Sequence, residues 1–335
     1  MKRRSFLQGV GMSAAWLLLN GCASAPKQVA PAAASATLPT VNGQKPLYQV
    51  EDAQAPVVYF TREISGSALV KIYEALGRKP QGKVGIKISF ETPNGPYLNP
   101  QLLKPLCDKT QGTLIDCNGF TPPRHQTQSH MQLIRNHGFT AVAPCDILDA
   151  DGDIDMPVTN GYHLKYARTG SHFADYGHVI SVVRFKAHHI AIYGGTMKNL
   201  TITLGSISGK AILHSAGKNE RYYQGSDKTT TAQSLADGVK AALDFKKDAW
   251  CFINVLDDFD PDDKCPGTKN LGNIGILASL DPVAVDQAAV DLTFGAAATP
   301  ELRQRWEDTH SVNILQYAEN LGAGKRHYRL VSLDK

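Results

Sequence analysis

Residues 188–217 read HHIAIYGGTMKNLTITLGSISGKAILHSAG, and this stretch concentrates residue types that can do chemistry. Imidazoles such as those of His188, His189 and His214 bind borderline metals and move protons near neutral pH. Lys198 stands among apolar neighbours, where an amine can be held partly neutral as a nucleophile. Gly194 and Gly195 allow a turn that swings Lys198 over the end of the preceding AIY strand, and KAILH is expected to run back as a strand that delivers His214 to the same edge. Metal, acid–base and covalent chemistry are thus all open to one short segment. A satisfied core histidine and a Gly-Gly pair that only ends a strand is the structural alternative.

Other loops carry candidates of the same kind. SFETPNGPYLNP holds Glu91, Asn94 and Gly95, a shape suited to backbone approach toward a ligand, with a plain turn as the alternative. DCNGFTPPRHQT holds Asp116, Asn118, Arg124, His125 and Thr127; Arg124 at a helix start can fork onto a carboxylate or phosphate, or stand solvated on the surface. LDADGDID alternates Asp149, Asp151, Asp153 and Asp155 like a calcium loop. The sixth position lacks the glycine and the twelfth is Asn160, which disfavours calcium. The later run DDFDPDDKCPG reads as a solvated loop.

Strand and helix patterns alternate around these loops. VVYF and KVGIKISF read as strands, with Val84, Ile86 and Ile88 alternating in the second, and SALVKIYEALG places Leu69, Ile72, Tyr73 and Leu76 at helical spacing. NPQLLKPLCDKT reads as a helix interrupted at Pro105, GTLIDCN as a strand, and HQTQSHMQLIRNHGF as a helix ending at Gly138. AVAPCDIL, HVISVVRF, AILH and AWCFINVL add strands; AQSLADGVKAALDF, the segment behind Asp281-Pro282, and ELRQRWEDTHSVNILQYAENLG add helices. The expected fold is α/β: a mostly parallel sheet flanked by helices, in one large body or two intimately joined subdomains. In such sheets ligands gather at the carboxyl ends of strands.

The N-terminus speaks to compartment. Arg3 and Arg4, followed by Phe6 and Leu7, precede a short apolar run from Val10 to Leu19 that ends at Leu19-Asn20-Gly21-Cys22. The run is too short for a permanent membrane span and resembles a twin-arginine export signal ending in a lipobox, with Cys22 acylated. Residues 1–22 are therefore read as signal, 23–50 as a flexible Ala/Pro-rich tether and 51–335 as the α/β domain, held by the lipid on the periplasmic face of the cell envelope. The chain of 335 residues has 42% hydrophobic and 20% charged residues and a formal charge of +4, as expected of a globular body. No basic patch with interleaved aromatics occurs, so nucleic acid is not expected as a partner. Cys107, Cys117, Cys145, Cys251 and Cys265 form no CxxC pair. That spacing excludes a ferredoxin-type cluster, while one or two disulfides are compatible with an oxidising compartment.

The succession VGIKISFETPNGPYLNPQLL, LIDCNGFTPPRHQTQSHMQLIRNHGF, VISVVRFKAHHIAIYGGTMKNL, GKAILHSAGK and IGILASLDPVAVDQAAVDL resembles the uncharacterised iron–sulfur-centre family known as domain-of-unknown-function family 362, over roughly Pro56 to Leu333. Many members carry a CxxCxxC insert after the position of His214; here NERYYQGSDKTTTAQSL has no cysteine, so the resemblance implies a member without the cluster. The spacing of His188, Lys198 and His214 around Gly194-Gly195 also resembles the N-terminal domain of the nickel-pincer lactate racemase family. That resemblance implies a lysine bearing an anionic cofactor and a histidine on a transition metal. The racemase family has a base histidine directly before its Arg-x-x-Thr segment. Here Arg124 and Thr127 fit, but Pro123 precedes them and His125 follows Arg124.

The sequence thus supports an exported lipoprotein with a metal- or cofactor-dependent site acting on a small carboxylate-like substrate. Lys198, His188, His189, Arg124 and His125 are the candidate catalytic residues. Lys198, Gly194, Gly195, Asn94 and Gly95 would contact a cofactor, and His214 with His188 would hold a metal. The rival reading is a non-enzymatic periplasmic protein that binds or delivers a metal or small anion.

Overall fold

The computed structural model describes residues 38–41, 43–188, 192–260, 270–295 and 313–335. The signal, Cys22, most of the tether, His189, Cys265 and the first part of the last long helix lie outside the described residues.

An eight-stranded sheet forms the centre, in the order β12-β1-β11-β10-β7-β2-β3-β4. Its strands are β1 (Val57–Thr61), β2 (Lys83–Lys87), β3 (Thr113–Asp116), β4 (Cys145–Ile147), β7 (Tyr176–Arg184), β10 (Trp250–Leu256), β11 (Gly275–Ser279) and β12 (Arg329–Ser332). Every neighbouring pair is parallel except the two made by β11, which runs antiparallel to β1 and β10. Two hairpins stand beside it: β5 (Asp153–Pro157) with β6 (Tyr166–Gly170), and β8 (Lys186–His188) with β9 (Ile192–Gly194).

Alternate strand residues feed two cores. Val57 and Tyr59 join Ile86, Ile180 and Ile253 under α1 (Gly66–Ala75), α2 (Pro100–Thr110) and α3 (Thr127–Asn136). Val58 and Phe60 join Val179 and Phe252 on the opposite face. There they meet α4 (Thr196–Asn199), α6 (Lys228–Phe245), α7 (Pro282–Val290) and the C-terminal helix Asn313–Asn320. The result is three layers, with a sheet whose inner strands are buried on both faces, as parallel sheets require. Among the described residues no helix is long and apolar enough to cross a membrane.

The structure departs from the sequence reading at four places. AILH is helical: α5 (Ile207–Ser215) is capped by the Ser206 hydroxyl, which accepts the Gly209 N–H, and ends at Ala216 in the left-handed region. A short apolar run cannot by itself separate a buried helix from a strand. Pro105 does not interrupt α2, and its ring sits over Gly66 of α1, where a side chain would collide with it. The body also takes up the chain before residue 51: Gln49 bridges to Tyr328, and Arg326 lies 4.2 Å from the centre of the Tyr48 ring. Finally, Cys107, Cys117, Cys145 and Cys251 are free thiols.

Gly209 lets α5 lie directly on β6. A Cβ there would fall 1.9 Å from the Arg168 carbonyl oxygen, a backbone atom that cannot swing aside. Gly209→Ala is therefore expected to cost about 3 kcal/mol through overpacking, read as a lowered thermal midpoint. An unchanged midpoint would show that α5 can slide.

Candidate functional site

Crossovers leave the sheet in opposite directions at one place. From β2 the chain passes through α2 to β3 on one side; from β7 it passes through α4, α5 and α6 to β10 on the other. Between the carboxyl ends of β2 and β7 a crevice must open, and an α/β sheet takes its ligands at such a switch point. A cleft of about 410 Å³, counting its open mouth, lies there. Its wall includes Ser89 and Glu91 after β2, Arg184 at the end of β7, Lys186 at the start of β8, Gly194 and Gly195 at the end of β9, and Lys198 on α4.

Beside the cleft runs an ion network in which Lys87 and Asp116 are fully buried. Lys87 at the end of β2 donates to Asp116 at 3.0 Å, to the Asn199 side-chain oxygen at 3.0 Å, to Thr203 at 2.8 Å and to the Ile88 carbonyl at 2.8 Å. The second Asp116 oxygen accepts from the Phe90 N–H and, at 2.9 Å, from Arg124. Burial would raise the Asp116 pKa, but Lys87 and Arg124 hold it below its usual value. Burial also lowers the Lys87 pKa, against the pull of Asp116. Asn199 closes the network by donating to the Lys87 carbonyl and to Ser181 of β7, which pins α4 to the sheet.

Lys198 is one position before that pin, so its side chain is carried to the cleft wall. Burial lowers its pKa to about 8, opposed by Glu91 and assisted by Lys186 and Arg124. No hydrogen bond or ion pair engages its amine among the described residues. The Glu91 carboxylate is instead paired with Lys186 at 2.7 Å. Burial would raise the Glu91 pKa, yet Lys186 leads the cations that bring it down.

The Gly-Gly turn has a definite partner. A Cβ on Gly195 would fall 2.7 Å from a carboxylate oxygen of Asp286 on α7. That carboxylate accepts the N–H groups of Thr196 and Met197, each at 2.8 Å, and the Asn254 amide at 2.8 Å. Asp286 therefore caps the helix that carries Lys198. Burial pushes its carboxyl up to about 6 in spite of these donors.

The other expected site residues are distributed as follows. His214 is on α5 and does not line the cleft; its ring centre is 4.9 Å from that of Tyr223 and 6.2 Å from that of Phe120. Burial, then Lys198 and Lys210, lower its pKa to about 4, so it is a neutral imidazole near Lys198 at physiological pH. His188 ends β8, paired in register with Ile192, beyond the cleft wall. Arg124 is committed to Asp116, with its Nε buried and unpaired, and the His125 Nδ1 is likewise buried without a partner. Asn94 is exposed and outside the cleft; a Cβ on Gly95 would lie 3.0 Å from a Glu91 carboxylate oxygen, so Gly95 leaves that carboxylate room. The alternating aspartates disperse: Asp149 accepts the Asn118 N–H, Asp151 meets His172, Asp153 meets Ser208 and Asp155 meets Arg168.

Among the described residues no three His, Cys, Asp or Glu side chains converge as a metal cage. The groups closest in charge to Lys198 and His214 are mostly cations, which suit an anion instead.

With this geometry in hand, comparison decides the family. The profile described as "Domain of unknown function (DUF362)" matches residues 84–291. The chain belongs to this family. No curated protein matches the chain. Among solved structures, the lactate racemase apoprotein from Thermoanaerobacterium thermosaccharolyticum is similar at a TM-score of 0.39 and 12% identity, over 61% of this chain and 51% of that one. A protein from Thermotoga maritima is similar at a TM-score of 0.41 and 8% identity, over 78% of this chain and 59% of that one. The chain therefore spans only about half to three-fifths of the length of either.

Two of the segments that carry the DUF362 resemblance, those ending GGTMKNL and containing DPVAVDQ, meet at the Asp286 cap. Sequence reading missed Lys87, Lys186, Asn199 and Asp286. One signal was available: a lysine near the end of a strand whose neighbours are all apolar must have a buried partner. In this DUF362 chain Asp286→Ala would orphan three buried donors. It is expected to cost about 3 kcal/mol or more, measured as a lower urea midpoint. A loss under about 0.5 kcal/mol, the usual scale of surface substitutions, would mean that the cap does not hold α4.

Proposed function

We propose that the cleft at the β2/β7 switch point binds a small anionic, carboxylate-like molecule and that Lys198 meets its negative charge. The reading rests on one observation above the rest: a half-buried amine opens into the cleft, and among the described residues no hydrogen bond or ion pair engages it. An unpaired buried polar group carries a desolvation cost that a ligand can relieve. Glu91, the carboxylate beside it, is taken by Lys186. Arg124 lies near enough to shift both Glu91 and Lys198 and adds to the positive field.

The pH dependence follows from the amine. Lys198 is cationic below about 8 and neutral above it, so affinity for an anion should fall as pH rises through about 8. Calorimetric titration with acetate and lactate, neither of which has a carbonyl that an amine can trap, measures this. Lys198→Met should weaken binding roughly ten- to a hundredfold, the worth of one charge-assisted hydrogen bond, and flatten the pH profile. Equal affinity in the variant would end this reading.

We further propose that the chain is exported by the twin-arginine route and anchored through a lipid on Cys22, facing an extracytoplasmic space. The support is in the sequence: Arg3-Arg4, the short apolar run and Cys22. Replacing Arg3 and Arg4 by Lys should block export, and Cys22→Ala should release the protein from the membrane fraction. Normal export of the first variant, or continued anchoring of the second at unchanged mass, would remove the respective claim.

A further inference from the structure

We propose that Lys198 forms a Schiff base with the carbonyl carbon of a small 2-oxo acid whose carboxylate is held in the same cleft. The inference rests on the anion-site reading and adds a second functional group to the ligand.

Three features of the cleft lead there. First, a C–N double bond to a carbonyl carbon needs an amine, and of the two lysines on the wall Lys186 is paired with Glu91, while among the described residues no hydrogen bond or ion pair engages Lys198. Second, a lysine becomes nucleophilic at neutral pH when it is desolvated and set beside other cations, and Lys198 has both conditions in its burial and in Lys186 and Arg124. With its pKa at about 8, roughly a tenth of the amine is neutral at pH 7, far more than for an exposed lysine. Third, an acid stands on the same wall, since the Lys186 ammonium lines the cleft and is held there by Glu91.

The step balances without any redox partner. The Lys198 nitrogen lone pair forms the C–N bond as the carbonyl π pair moves to oxygen. That oxygen leaves as water, carrying one proton from the attacking nitrogen and one from Lys186, which Lys186 regains from solvent. The product is an iminium on Lys198, and no electrons enter or leave. A neutral lone pair and a cationic handle for the carboxylate are both needed; while Lys198 is neutral, Lys186 on the wall is that handle and Arg124 adds only its more distant field.

The test is reductive trapping on the full chain. Pyruvate is added with cyanoborohydride near pH 7, and intact mass and peptide mapping locate the reduced adduct. The expected result is one adduct per chain, at Lys198, forming at least tenfold faster than on any exposed lysine and suppressed by excess lactate. Lys198→Arg keeps the cation and should still bind lactate while giving no adduct; peptide mapping of the unaltered chain decides the matter even if that variant does not fold. Adducts scattered over exposed lysines, or none at all, with lactate binding intact would overturn the Schiff-base inference and leave the anion site standing. Absence of both lactate binding and adduct would overturn the two together.

Discussion

The Asp286 carboxylate is the contact on which the site depends. It lies 90 positions from the Thr196 N–H that it accepts, and so it ties the helix carrying Lys198 to α7 on the far side of the chain. A short helix has little stability of its own, and its first N–H groups are unsatisfied unless something outside supplies an acceptor. Gly195 admits the carboxylate because it has no Cβ, and Thr196 and Asn254 hold it from the side. Without that close approach the Lys198 side chain would have no fixed place on the cleft wall.

The second constraint is electrostatic. Lys87, Asp116 and Arg124 form a buried triad whose desolvation cost is met only because nearly every donor and acceptor has a partner. Such triads contribute less to stability than to uniqueness of geometry, and here the geometry is the join between β2, β3 and α4. Arg124 was legible in the sequence as an anion-binding group, yet in the fold its first duty is to neutralise Asp116. What it gives the cleft is field at a distance, an effect that a dry, low-dielectric setting strengthens.

Much of the architecture could be read from the chain because period and punctuation agreed with burial. Val84, Ile86 and Ile88 alternate along β2, Leu69, Ile72, Tyr73 and Leu76 mark α1 by helical spacing, and Asp281-Pro282 announces α7, where the Asp281 side chain accepts the Val283 and Ala284 N–H groups. GKAILHS failed because its apolar positions satisfy either period, and only Ser206 and the left-handed Ala216 mark it as a helix. The site was legible in part. Lys198, Gly194 and Gly195 reach the cleft, while the partners that fix them come from β2, β3 and α7, at separations that no local pattern encodes. The Asp286 cap joins residues 90 positions apart, a separation that no local spacing reveals.

Glu91 shows how the remaining demands are balanced. An anion site needs Lys198 charged, and attack on a carbonyl needs it neutral. Lys186 and Arg124 push the amine toward neutrality, and Glu91 pulls it back. Glu91 can do so because it sits in the left-handed backbone region at φ 60, where a non-glycine residue carries strain, and because Gly95 leaves room for its carboxylate. Pairing with Lys186 then keeps Glu91 ionised while removing it as a competitor for the Lys198 amine. With its pKa at about 8 the amine is in reach of both states near neutral pH, held there in part by a carboxylate whose hydrogen bond goes to Lys186 instead.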